Sequence, residues 1–169
     1  MAYDLVKLRD DASDLSWYRI DTYILSPVLW SKYPDRVVLT WSEVKFGERY
    51  AACVPDDKIG VYTFFVCPEI ANYPTLAYPL YVGMTAEQSF RKRYQQYLRE
   101  SRKRKPRPLI LKMLTSWPDN LYFYYAPIDD MDHSMIEQVE RDLISALLPP
   151  FNHRFPAEIQ LLRKLIFNG

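Results

Sequence analysis

From residue 59 onward, short apolar runs alternate with stretches of helical periodicity, and turns or prolines close each of them. "GVYTFFV", residues 60–66, and "YPLYVGMT", residues 78–85, each carry a tyrosine close to a glycine and read as strands, the second over residues 79–83. The second leads directly into a helix predicted over residues 86–103, because Phe90, Tyr94, Tyr97, Leu98 and Ser101 fall on one face. Thr85 and Gln88 have the spacing of a capping box at its start, and Pro106 and Pro108 forbid its continuation. A second short helix follows over residues 109–115, and the aromatic-rich "LYFYYAPI", residues 121–128, makes a third strand. Ser134 and Glu137 form another capping box, Ile136, Val139, Leu143 and Leu147 make one apolar stripe, and Pro149 and Pro150 end that helix.

The two ends of the chain differ from this middle. The tail over residues 157–167 is apolar on nearly all sides (Ile159, Leu161, Leu162, Leu165, Ile166), so burial on two faces is expected, one of which a partner subunit could supply. The first 58 residues hold Trp17, Trp30 and Trp41 and one strand candidate, "RVVLTW" at 36–41, but no motif that carries chemistry.

A chain of 169 residues suffices for one domain, or a small domain with an extension. It has no apolar run approaching the ~18 residues that a membrane span needs, and its start, "MAYDLVKLRDDASD", is too acidic for a signal peptide, so a cytoplasmic protein is expected. Cys53 and Cys67 have no CxxC spacing and read as small buried hydrophobes, not as zinc ligands or a disulfide.

Charge changes the picture more. Between Arg91 and Arg107 nine basic residues (Arg91, Lys92, Arg93, Arg99, Arg102, Lys103, Arg104, Lys105, Arg107) stand against one acid, Glu100, a net of +8 on a chain whose total is +1. Such a block draws a polyanion to one face. A second charge is out of place: at about 100° per residue, Glu140 lies within the apolar stripe of the last predicted helix. A carboxylate there calls for an arginine partner or a bound cation. Arg91 and Arg93 flank the apolar face of the earlier helix at similar angles, and periodicity does not choose between them. An inward arginine, an inward glutamate and two strand tyrosines together suit an anionic substrate.

Taken in order, Gly60-Val61-Tyr62, Tyr81-Val82-Gly83, Arg93 before Tyr94, Glu140 with Ile144 four residues on, and Asn152 after the Pro-Pro-Phe turn resemble the GIY-YIG endonucleases. The resemblance spans residues 59–152. It implies an α+β fold, a small three-stranded antiparallel sheet flanked by helices, with residues 1–58 as an N-terminal extension and 153–169 as a C-terminal helix. It implies that Tyr62 is the general base or orients the attacking water, that Tyr81 supports it, that Arg93 stabilises the developing charge, that Glu140 holds one Mg²⁺ or Mn²⁺, and that Asn152 braces the cleft. Arg91, Lys92, Arg99, Arg102, Lys103, Arg104, Lys105 and Arg107 would then track a DNA backbone.

The expected function is a metal-dependent DNA endonuclease, a compact restriction or phage-defence enzyme. A repair or recombination nuclease, and a catalytically silent nucleic-acid-binding module, are the alternatives. A homodimer or an accessory subunit would use the C-terminal helix. Two departures stand out. The segment Thr63–Leu80 is long, so a loop with Pro68, Pro74 and Pro79 should bulge from the hairpin. Tyr97 stands one turn after Arg93, where some members carry a histidine or lysine, which leaves the proton path open.

Overall fold

A computed structural model describes residues 23–70, 76–128, 131–153, 155 and 160–161. In chain order the elements are α1 (Pro27–Trp30), β1 (Ser42–Lys45), a 3-10 segment (Glu48–Cys53), β2 (Gly60–Val66), β3 (Tyr78–Thr85), α2 (Phe90–Leu98), a second 3-10 segment (Glu100–Arg102), α3 (Pro108–Ser116), β4 (Leu121–Pro127) and α4 (His133–Leu147). The strands form one antiparallel sheet in the order β1-β4-β2-β3, so the mixed α+β class holds but the sheet has four strands, not three.

The fourth strand explains one misreading. "RVVLTW" is not a strand: Val37 and Leu39 pack against the core while Val38 between them is 90% exposed, so the alternation serves burial without a ladder. The ladder belongs to the next four residues, Ser42–Lys45, paired with Tyr122–Tyr125 of β4. Only one of the four, Val44, is apolar, too little to give a periodic signal.

Alternate side chains of the sheet feed two cores. Tyr62, Phe64, Leu121 and Phe123 meet Phe90, Tyr94 and Tyr97 of α2 and Ile110 and Met113 of α3. Val61, Val82 and Ala126 meet Ile136, Val139, Leu143 and Ile144 of α4. The sheet thus lies between two helical layers, as two-sided burial requires.

Helix ends differ from the sequence reading in a consistent way. Thr85 is still in β3, paired with Gly60, and its Oγ1 donates to the Gln88 carbonyl, so α2 begins only at Phe90 with Ser89 as its cap. The side chain of Ser89 accepts from Lys92 N at 3.3 Å. α4 is capped by Asp132, which accepts from Met135 N at 2.9 Å, and Glu137 pairs with Arg141 at 2.6 Å instead of closing a capping box. In both cases the residue nearest the first free N–H took the cap. α2 ends at Leu98, five residues before the predicted Lys103, because the chain tightens into the 3-10 segment around Glu100.

Cys53 is exposed and Cys67 half-buried, so the expected burial fails for the first: it ends a 3-10 segment on the surface. Among the described residues no helix is long and apolar enough to cross a membrane. The predicted C-terminal helix, and the dimer contact assigned to it, fall almost wholly outside the described residues, as do Trp17, the N-terminal stretch and Pro74.

Candidate active site

Two glycines make room for the site. In β3 Gly83 lies opposite Tyr62 of β2, and a Cβ on Gly83 would come within 2.5 Å of the Tyr62 ring and hydroxyl. Gly60 has φ +144, and a Cβ there would run into the Ala126 carbonyl oxygen. The tyrosine and glycine of the two motifs are therefore cross-strand partners: Gly83 is the seat of Tyr62.

Tyr62 is 2% exposed and stacks on Phe123 with ring centroids 5.2 Å apart. Its hydroxyl meets that of Tyr97 at 2.9 Å, and the Tyr81 ring lies 6.3 Å from that of Tyr97 and 6.4 Å from that of Tyr62, so three phenols cluster. Tyr81 is the half-buried member and the one nearest solvent. Burial, then the neighbouring Tyr81, pushes the Tyr62 phenol far above its usual pKa, and Arg93 only partly opposes this. Burial and the other two phenols raise Tyr97 likewise. Tyr62 and Tyr97 are thus neutral hydrogen-bonding groups at neutral pH, not bases.

α2 separates the two arginines that periodicity left equivalent. Arg91 turns away: its Nε and Nη2 donate to the Val54 and Ala52 carbonyls at 2.8 and 3.0 Å, and Nη1 lies 3.7 Å from Asp56. Arg93 faces a cleft of about 350 Å³ that it lines with Met84, Ala86, Glu87, Gln88 and His133. Its Nη1 donates to Gln96 Oε1 at 3.0 Å.

Glu140 is half-buried on α4, as its place in the apolar stripe required. Burial, and after it the like charge of Glu137, raises its pKa, while the nearby Met84 N–H and the charge of Arg93 lower it. It thus lies near strand backbone and an arginine without forming a closed ion pair. A carboxylate so placed fits a hard cation. Among the described residues no cluster of three or more His, Cys, Asp or Glu surrounds it, so water and substrate oxygens would have to supply most of the shell of a Mg²⁺ bound there.

Asn152 follows the left-handed turn at Leu148 (φ 47) and is 6% exposed. Its side-chain amide both accepts from Val82 N and donates to Val82 O, each at 2.8 Å. Beside it Phe151 N donates to Leu80 O at 2.9 Å, a carbonyl made available by the bulge where Phe64 pairs with Tyr81 and Phe65 with Pro79. Asn152→Asp keeps the shape but sets a carboxylate oxygen against the Val82 carbonyl. A loss of about 1–3 kcal/mol is expected in urea unfolding, and an unchanged midpoint would show that the amide does not matter.

All five motif positions therefore gather around β3: Tyr81 within it, Tyr62 over Gly83, Asn152 on Val82, and Glu140 and Arg93 near enough to act electrostatically on each other and on Tyr62. The basic run is less uniform than its sequence. Glu100 is wholly buried and holds Lys103 and Arg107, Arg102 pairs with Glu48, and Lys92, Arg99, Arg104 and Lys105 are exposed. The sequence gives no role to His133 or to Glu100, and it marks Tyr97 only as a residue of the apolar face and a departure from the family pattern. Tyr97 fits the apolar stripe by its ring and the site by its hydroxyl, and only the first has a periodic signal. Compared with family models, with curated proteins and with solved structures, the chain matches none.

Proposed function

We propose that the protein is a metal-dependent endonuclease of the GIY-YIG kind that hydrolyses DNA phosphodiester bonds. The observation that carries this reading is the convergence on one strand of two phenols, a guanidinium and a half-buried carboxylate from four separate elements, β2, β3, α2 and α4. Phosphodiester hydrolysis asks mainly for positioning and charge neutralisation, and these groups supply both.

Burial order revises the roles that the resemblance suggested. Tyr81, the phenol nearest solvent, contacts the attacking water or the scissile phosphate. Tyr62 stands behind it, with its hydroxyl hydrogen-bonded to Tyr97 and its ring 6.4 Å from that of Tyr81. Arg93 donates to the non-bridging oxygens as negative charge builds on phosphorus. Glu140, half-buried near Met84 and Arg93, would carry the Mg²⁺ or Mn²⁺, which when bound neutralises phosphate charge and lowers the pKa of water. His133 lines the same cleft as Arg93.

The test is conversion of supercoiled plasmid to nicked and linear forms with Mg²⁺ and with EDTA. Cleavage that needs the metal and falls about 10²–10³-fold in Arg93→Ala is expected. DNA binding with no cleavage under any metal would leave a silent binding module instead.

A further inference from the structure

Glu100 is the one acid in the basic run, and it is 0% exposed. Its Oε1 accepts from Arg107 N at 2.8 Å, while its Oε2 accepts from Lys103 Nζ at 2.8 Å and Arg107 Nη2 at 3.0 Å. Burial alone would raise its pKa, but these hydrogen bonds outweigh it and hold the carboxyl at about 2, so Glu100 is a fixed anion. The clasp folds the chain after α2 back on itself and lays the Arg107 guanidinium over the Tyr97 ring, 5.4 Å from its centroid. Arg107 is electrostatically coupled to Tyr97 and Tyr81, whereas Arg93 is coupled to Tyr62 and Glu140, so the two guanidiniums attend different members of the site.

Two features make this more than a structural clasp. The trio of Glu100, Lys103 and Arg107 keeps a net charge of +1, and both cations remain about half exposed at 47% and 50%. A guanidinium carries five donors, and Arg107 spends Nη2 on Glu100, so donors remain for an anion at the Tyr81 side of the site.

We infer that Glu100 builds a second phosphate-binding position, with Arg107 as its contact and Lys103 beside it, that takes a backbone phosphate flanking the one to be cut. This rests on the nuclease reading above and deepens it. The basic run then has two parts: a pre-oriented Arg107 and Lys103 that set the register of the strand, and exposed Arg99, Arg104 and Lys105 that supply attraction without geometry.

The two parts answer oppositely to removal of the acid. Were the run only a cloud of charge, Glu100→Gln would add one positive charge and tighten DNA binding. As the orienter of Arg107, its loss should weaken binding about tenfold, although the protein becomes more basic.

The measurement is fluorescence anisotropy of a labelled DNA duplex in EDTA, over a salt series, for the wild type, Glu100→Gln, Arg107→Lys, Arg107→Ala and Lys105→Ala. Arg107→Ala should lower the log–log salt slope by about 0.9 and lose more affinity than Lys105→Ala. Arg107→Lys preserves charge but not the fork, so a loss near that of Arg107→Ala is expected even if Glu100→Gln proves too unstable to assay. Tighter binding by folded Glu100→Gln, or wild-type affinity in Arg107→Lys, would overturn the subsite and leave the nuclease reading standing. No salt-sensitive binding by the wild type would overturn both.

Discussion

Glu140→Gln should abolish metal-dependent cleavage, by about 10³-fold or more, while raising the melting temperature of the metal-free protein. The two effects have one origin. Burial raises the pKa of Glu140, so the fold favours its protonated form. That contribution is present below the ordinary carboxylate range and is lost as pH rises through the raised value, which leaves the ionised group as a burden at neutral pH. Glutamine keeps the size, but it carries no charge to desolvate and offers a cation far less. Melting curves in EDTA should coincide for the two proteins at low pH and separate upward for the variant as pH rises. A variant that cuts normally would remove Glu140 from the site. One that melts lower than the wild type at neutral pH would mean that the carboxylate is held by attraction, as in a structural ion pair.

Gly83→Ala is expected to damage the fold and the candidate site together. Its Cβ would lie 2.5 Å from both Cζ and Oη of Tyr62, and Tyr62 has nowhere to go between Phe123 and Tyr97. Overpacking of this kind costs about 3 kcal/mol. Any shift of the Tyr62 ring also breaks its 2.9 Å contact with Tyr97, and a displacement of about 1 Å can cost 10²-fold in rate. Urea unfolding and plasmid cleavage would read both. The steric origin has its own check: in a Tyr62→Leu background the added methyl should cause little further loss, whereas a full loss there would point to the backbone of β3.

Much of the fold could be read locally. β2, β3, α3 and β4 lie within a residue or so of their predicted positions because each is a compact apolar run bounded by glycine, proline or polar turns. The motif positions were visible too, since Tyr62, Tyr81 and Asn152 have side chains of distinctive chemistry, and the structure brings them together on β3. What escaped depended on the chain returning to itself. β1 has no pattern of its own and exists because β4 offers it an edge. Glu100 looks like a stray acid until Arg107 comes back to it, and Arg91 parts from Arg93 only through the carbonyls of Ala52 and Val54. Periodicity measures how apolar a face is, and it is silent about which polar atoms that face will carry inward.

Asn152 has a further consequence, for the solubility of the protein. β3 is an outer strand, and a bare outer strand is a template on which other chains polymerise. Here three of its outward hydrogen-bonding groups are already taken: Leu80 O by Phe151, and Val82 N and O by the Asn152 amide. A single amide thus imitates one residue of a missing neighbouring strand. At the opposite margin β1 is only four residues long and carries Glu43 and Lys45, which discourages the same kind of growth. Sheet-to-sheet aggregation is blocked on one side by molecular mimicry and on the other by shortness and charge, and the mimicry comes from a residue that also braces the candidate site.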